Sequence, residues 1–141
     1  MLEIKADLWS YPADFRCVPT NGIVKPNGCL VMGAGVAKVA AEKYPQLPDR
    51  LGRLVTIFGN KPFFFNEIGI ISFPTKNHFK DPSDIGLIIA SAKEIAAFVE
   101  IHDKTIVLPR VGTGFGGLNW IDVKAAIEPI FDDNRFIVCS L

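Results

Sequence analysis

A chain of 141 residues has the length of one domain. With 49% hydrophobic and 21% charged residues it can bury a core, which excludes a disordered polypeptide. Fifteen basic residues balance fifteen acidic ones, so the basic stripe of a general nucleic-acid binder is missing, and no apolar run reaches the roughly 18–20 residues that span a bilayer. The start, Met1-Leu2-Glu3-Ile4-Lys5, alternates like a strand and does not read as a signal peptide. Cys17, Cys29 and Cys139 are odd in number and far apart, which fits reduced thiols of a cytoplasmic protein and neither a disulfide framework nor a metal site.

Period-2 patterning predicts strands over Leu2–Leu8 and Arg16–Asn21, the second running into the turn Pro19-Thr20-Asn21-Gly22. Lys25-Pro26-Asn27-Gly28 is a further turn signal. Met32-Gly33-Ala34-Gly35-Val36-Ala37 reads as a glycine loop opening a helix that reaches Tyr44 and stops at Pro45. Leu54–Phe58 and Phe63–Phe73 carry strand composition, with Gly59-Asn60-Lys61-Pro62 between them as a hairpin turn and Phe63-Phe64-Phe65 alternating between core and surface. Ser83–Ile101 holds the 3.6-residue period through Ile85, Ile88, Ile89, Ala92, Ile95, Ala96 and Val99, with Ser83 as N-cap and His102 capping the far end. Thr105–Leu108 is a short buried strand, Ile121–Phe131 a helix with Trp120 as its core anchor, and Arg135–Ser140 a last strand. Strands alternating with helices predict an α/β domain with a mixed sheet, and residues 1–141 are read as one such domain.

Three segments carry candidate chemistry. Gly33 and Gly35 allow close approach of a ligand to the backbone, and the free amides of the following helix make a phosphate site; an ordinary tight turn is the competing reading. Gly112–Gly117 has four glycines in six residues between a strand and a helix, more than a connection needs. No Gly-Lys-Ser/Thr follows, so this is not a Walker loop, and the glycines lie too late for a dinucleotide fingerprint. Two glycine loops, each after a strand, suit a diphosphate held from both sides. In Phe73-Pro74-Thr75-Lys76-Asn77-His78-Phe79-Lys80, Lys76 either pairs with charge, acts as nucleophile or acid, or belongs to a solvated basic loop; His78 is an acid/base or a phosphate contact. Asp7 either caps a turn or accepts from an adenine amino group, and Asn21 either shapes a turn or reaches a ribose hydroxyl.

Together, Ile4-Lys5-Ala6-Asp7-Leu8, Thr20-Asn21-Gly22, Val31 to Ala37, Phe73-Pro74-Thr75-Lys76 and Pro109-Arg110-Val111-Gly112-Thr113-Gly114 through Gly117-Leu118-Asn119-Trp120 resemble the macrodomain family. The similarity is greatest to terminal ADP-ribose glycohydrolases and to antitoxins that remove ADP-ribose from DNA. The resemblance implies a three-layer α/β/α fold and ADP-ribose as ligand or product, with no bound cofactor or metal. It implies Asp7 and Leu8 at the adenine, Asn21 at the distal ribose, and Gly33, Ala34, Gly35 and Val36 along the first phosphate loop. Gly112, Thr113, Gly114, Phe115 and Gly116 would close from the other side, and Lys76 would be catalytic. Where the protein-directed enzymes of this branch carry an aspartate, Gly116 stands here.

The reading that follows is a hydrolase that frees an ADP-ribosylated protein or nucleic acid, acting as a cytoplasmic monomer without membrane contact. An ADP-ribose-1″-phosphate phosphatase assisted by Asn21 or His78, and a binding module without chemistry, are the alternatives.

Overall fold

The computed structural model describes residues 1–141. Six strands form one sheet: β1 (Leu2–Lys5), β2 (Phe15–Thr20), β3 (Phe64–Phe65), β4 (Ile70–Pro74), β5 (Ile106–Leu108) and β6 (Phe136–Ser140). Their order across the sheet is β1-β6-β5-β2-β4-β3, parallel throughout except for the antiparallel pair β3 and β4. Four helices complete the fold: α1 (Gly35–Lys43), α2 (Leu47–Phe58), α3 (Ile85–His102) and α4 (Trp120–Ile127).

Strand alternation explains the layering. Successive strand residues point to opposite faces. Phe15, Cys17, Ile71, Phe73, Ile106, Leu108, Phe136 and Val138 therefore share one core with α3 and α4. Val18 and Ile70 face the other way, onto α1 and α2. Val107, Ile137 and Cys139 also face that way and pack with Leu8. Cys17 lies so deep among apolar groups that its thiol is pushed far up in pKa and stays protonated. The result is a mixed sheet, as the alternation of strands and helices predicts, in three layers, α/β/α, as the resemblance implies.

Helix α2 departs from expectation. Leu54–Phe58, read as a strand, forms its C-terminal half, and Gly59-Asn60-Lys61-Pro62 is the exit of a helix, not a hairpin turn. Val55, Thr56 and Ile57 imitate a strand in composition, yet Leu47, Leu51, Leu54 and Val55 recur at helical spacing and pack on the α1 side of the sheet. Gly52 lowers the helical signal further, and its reason is tertiary. A Cβ there would lie 1.8 Å from the carbonyl oxygen of Gly28, in the turn Lys25–Gly28 that docks on α2.

The true hairpin is short. Phe64 pairs with Ile71 and Phe65 with Ile70, and Asn66–Gly69 divides what composition presents as one strand. The phenylalanines serve both faces of the sheet, not core and surface. Phe65 joins the α2 side, while Phe64 stacks on Phe98 of α3 at 4.2 Å between ring centroids. The N-cap of α3 is Asp84 and not Ser83: its carboxylate accepts from the amides of Gly86 at 2.8 Å and Leu87 at 3.3 Å. One side-chain oxygen of Asp84 satisfies two free donors where the Ser83 hydroxyl satisfies none. His102 closes α3 in its last turn, and left-handed Asp103 is the C-cap.

Alanine for glycine in a helix interior ordinarily stabilises by ~1 kcal/mol. Gly52→Ala should do the opposite, lowering the free energy of unfolding by ~1–3 kcal/mol through the clash with Gly28. Urea titration of the two proteins measures the sign directly.

Candidate functional site

Strands β2, β4, β5 and β6 run parallel, so their carboxyl ends meet along one edge of the sheet. Ligands of open α/β sheets bind in the crevice at that edge. Here the crevice is a cleft of about 680 Å³. Thr20 at the end of β2 with Asn21 after it, Lys76 after β4, Pro109 to Gly116 after β5 and Ser140 at the end of β6 form its floor and one wall. Val31 to Ala37, leading into α1, forms the other wall.

The two loops face each other as the glycine spacing suggests. Gly33, Ala34, Gly35 and Val36 all line the cleft. Ala34 caps α1 without any side-chain bond, and the first intrahelical bond runs from the Lys38 amide to the Ala34 carbonyl. The amides of Gly35, Val36 and Ala37 are therefore free to point at a ligand, with the helix dipole behind them. On the opposite side, the Gly116 amide donates to Thr113 and that of Gly117 to Gly114 in a tight turn, leaving those of Thr113, Gly114 and Phe115 without partners. Gly112 has φ +78, a left-handed conformation that turns the chain out of β5 into this loop. Phe115 arches over the gap: it is 82% exposed, and its ring lies 4.0 Å from where a Gly35 side chain would begin.

Lys76 lines the cleft beside Phe79, and its Nζ donates a long 3.4 Å bond to the Phe79 carbonyl. The backbone around it is anchored more firmly. Asn60 Nδ2 donates to the Lys76 carbonyl at 3.1 Å, and the Gly22 amide to that of Asn77 at 2.9 Å. Asn21 is buried, and its side chain braces the cleft edge: Nδ2 donates to Val31 and Oδ1 accepts from the Ile23 amide, each at 2.9 Å. His78 does not line the cleft; its Nδ1 accepts from the Lys80 amide at 3.1 Å.

Asp7 and Leu8 lie outside the cleft lining. Asp7 is exposed, and its carbonyl accepts from the amides of Ser10 and Tyr11. Leu8 is buried beside Val36 and Cys139, both of which line the cleft. Burial raises the Cys139 thiol pKa; Arg16 opposes this and Asp7 adds to it, which places Asp7 near that end of the site.

Sequence analysis gave Arg110 no site role and read Ser83 only as a helix cap, yet both line the cleft. Arg110 is hidden from sequence reasoning because one arginine between proline and valine carries no pattern. Ser83 explains Gly116. Its hydroxyl is buried without a hydrogen-bond partner and lies 2.2 Å from where a Gly116 Cβ would stand. A side chain at position 116 would require the Ser83 hydroxyl to move. No Asp or Glu lines the cleft, whereas Lys76 and Arg110 do. Lys76 and Arg110 are thus the charged residues of the lining, and the Arg110 guanidinium stands over the Trp120 ring, which is not part of it. No cluster of three or more metal-ligating side chains occurs, and no helix is long and apolar enough to cross a membrane.

Solved structures share this architecture over the whole chain. The macrodomain of Mycobacterium tuberculosis DarG superposes with TM-score 0.83 at 23% identity, covering 99% of this chain and 97% of that one. The chain folds as a macrodomain. The macrodomain of Thermus aquaticus DarG gives TM-score 0.81 at 22% identity, covering 99% and 97%. Thermosipho africanus DarTG in complex with ADP-ribose gives 0.79 at 20%, covering 99% of this chain and 41% of that one. In sequence, the chain is 29% identical to the DNA ADP-ribosyl glycohydrolase of Mycobacterium tuberculosis across 84% of its own length. It is 37% identical to the Thermus aquaticus enzyme of the same name across 42%. It spans only 37% of the length of the first and 17% of the second. No family model matches the chain.

Contact between Ser83 and Gly116 predicts energetic coupling. Gly116→Ala should destabilise by ~1–3 kcal/mol, and most of that loss should vanish in a Ser83→Gly background. Chemical denaturation of the four proteins in the cycle checks it.

Proposed function

We propose that this macrodomain binds ADP-ribose in the cleft and hydrolyses the bond joining it to a modified macromolecule. The observation that carries the reading is the cleft itself: two loops of unpaired backbone amides face each other, with Lys76 at one end and no carboxylate along the lining. Unpaired amides at a helix N-terminus and in a glycine turn suit the oxygens of a diphosphate. The sequence relatives named DNA ADP-ribosyl glycohydrolase support an ADP-ribosylated nucleic acid as substrate.

In this reading the first loop, Gly33 to Val36, holds one side of the diphosphate. Gly112, Thr113, Gly114, Phe115 and Gly116 hold the other side and cover the distal ribose. Asp7 and Leu8 take the adenine at the Cys139 end, and Asn21 keeps the ribose edge of the cleft in shape. Cleavage at the anomeric carbon develops positive charge on the ribose ring, as in other glycoside hydrolyses. Lys76 either protonates the departing group or attacks the anomeric carbon, and water then supplies the hydroxyl of free ADP-ribose. Its long bond to Phe79 leaves it free to turn toward the ligand. Rigid orientation by the loops supplies rate that would otherwise need a second catalytic group.

Binding without turnover is the second reading, favoured by Gly116: no carboxylate stands there to resolve a lysine adduct, and Ser83 occupies the space. The phosphatase reading has less support, because Asn21 is committed to Ile23 and Val31 and His78 lies off the cleft.

Lys76→Ala should lower hydrolysis of ADP-ribosylated DNA by ~10²-fold or more and leave ADP-ribose affinity nearly unchanged. Product release by chromatography and binding by calorimetry separate the two. Equal loss of both would reject a catalytic lysine, and tight binding with no turnover by the wild type would establish the binding-only reading.

A further inference from the structure

We propose that Asn60, which lies outside the cleft, is a positioning residue for Lys76: its side-chain amide fixes the stretch of backbone from which the lysine reaches the ligand. The inference rests on Lys76 being the catalytic group of the proposed hydrolysis and adds the group that sets where it stands.

Lys76 stands just beyond the sheet. The last paired residues of β2 and β4 are Thr20 and Pro74, and the Thr75 amide still donates to the Thr20 carbonyl at 3.0 Å. From Lys76 onward that ladder has ended, and the lysine nitrogen itself has only its 3.4 Å bond to Phe79. A long, flexible side chain held so weakly takes its position from its backbone. Asn60 supplies the hold. Its Nδ2 donates to the Lys76 carbonyl and to Asn77 Oδ1, each at 3.1 Å. A carboxamide has two N–H donors and one carbonyl acceptor. Here the donors go to the lysine loop, while Oδ1 is buried without a partner. A side chain serving the fold alone gains nothing from an empty buried acceptor. Its orientation follows the loop that it holds.

Asn60 is itself fixed by its neighbours. It follows Gly59, whose φ of +92 turns the chain out of α2. The next residue, Lys61, pairs with Glu94 of α3 at 3.6 Å. Phe63 exchanges bonds with Ser72 of β4: its amide donates to the Ser72 hydroxyl at 2.8 Å, and its carbonyl accepts from the Ser72 amide at 3.0 Å. Gly22 closes another side. A Cβ there would lie 3.0 Å from Asn60 Cγ and Nδ2, and the Gly22 amide donates to the Asn77 carbonyl at 2.9 Å. The exit of α2 and the turn after β2 thus clamp Lys76 and Asn77 between them. A reactive group carried on such a clamp is preorganised, and a small displacement of it is costly in rate.

Turnover of ADP-ribosylated DNA, calorimetry with ADP-ribose and urea denaturation are the test, on Asn60→Ala and on Asn60→Asp, which keeps the shape. Both variants remove the donors, so kcat should fall about 10- to 100-fold while ADP-ribose affinity stays nearly unchanged. A strut that serves only the fold would lower the denaturation midpoint and leave kcat unmoved where the variants are folded. That result overturns the inference, as does a raised KM at unchanged kcat. Gly22 gives a second readout. Gly22→Ala presses its Cβ on the Asn60 side chain, so it should lower kcat in the wild type and add nothing in Asn60→Ala. Equal effects in both backgrounds would reject positioning through Asn60. If Lys76→Ala turns over like the wild type, or if the wild type does not turn over, the catalytic lysine and this inference fall together. An inactive Lys76→Ala beside fully active Asn60 variants overturns this inference alone.

Discussion

A parallel sheet buried on both faces leaves a chain one place for polar chemistry, the ends of its strands. In β2, β4, β5 and β6 nearly every side chain is committed to one apolar layer or the other. Ser72 is an exception that serves the fold, since its hydroxyl accepts from the Phe63 amide at 2.8 Å. The residues that can meet a ligand therefore begin where the strands stop, at Asn21, Lys76, Arg110 and Ser140. The sheet acts as a ruler, because side chains leaving adjacent strands at the same edge inherit a fixed spacing. Chemistry at this edge then depends on which residue each strand releases and how the loop after it turns.

Much of this was legible from sequence, for reasons that differ by element. Helix α3 is long, and its apolar period admits no other reading. The glycine loops stood out because glycine is costly in a chain that does not need it, and the resemblance to macrodomains supplied the order in which they occur. Helix α2 was missed because two signals opposed it: a β-branched run in its second half and Gly52 in its middle, the latter set by the Gly28 carbonyl more than 20 residues earlier in sequence. The cap of α3 was misplaced by one residue because Ser83 and Asp84 both suit the position. Only the packing of Ser83 beneath Gly112 and Gly116 shows that the serine is employed elsewhere. Arg110 carried no signal for a related reason: what distinguishes it is the tryptophan beneath it.

The distribution of charge separates the site from the remainder of the molecule. Elsewhere the pairs close on themselves. Arg135 is met by Asp133, Asp103 and Glu100; Arg50 by Glu67; Lys61 by Glu94. Asp133 consequently titrates below the usual range, with its hydrogen bonds from Arg135 the main cause. Such surface pairs add little to stability. They hold five of the fifteen basic side chains, Arg50, Arg53, Lys61, Lys124 and Arg135, and Lys76 in the cleft is not among them. A formally neutral protein can attract an anion to a single cleft while showing little long-range field to polyanions in general.

The crowding of Ser83 against Gly116 ties the entrance of α3 to the loop that faces it. A side chain at position 116 would begin 2.2 Å from the Ser83 hydroxyl oxygen, so that hydroxyl has to turn away before the loop can carry one. At the same spot the Ser83 amide donates to the Gly116 carbonyl at 2.8 Å, so the second loop and the approach to α3 are joined through the backbone as well as by packing.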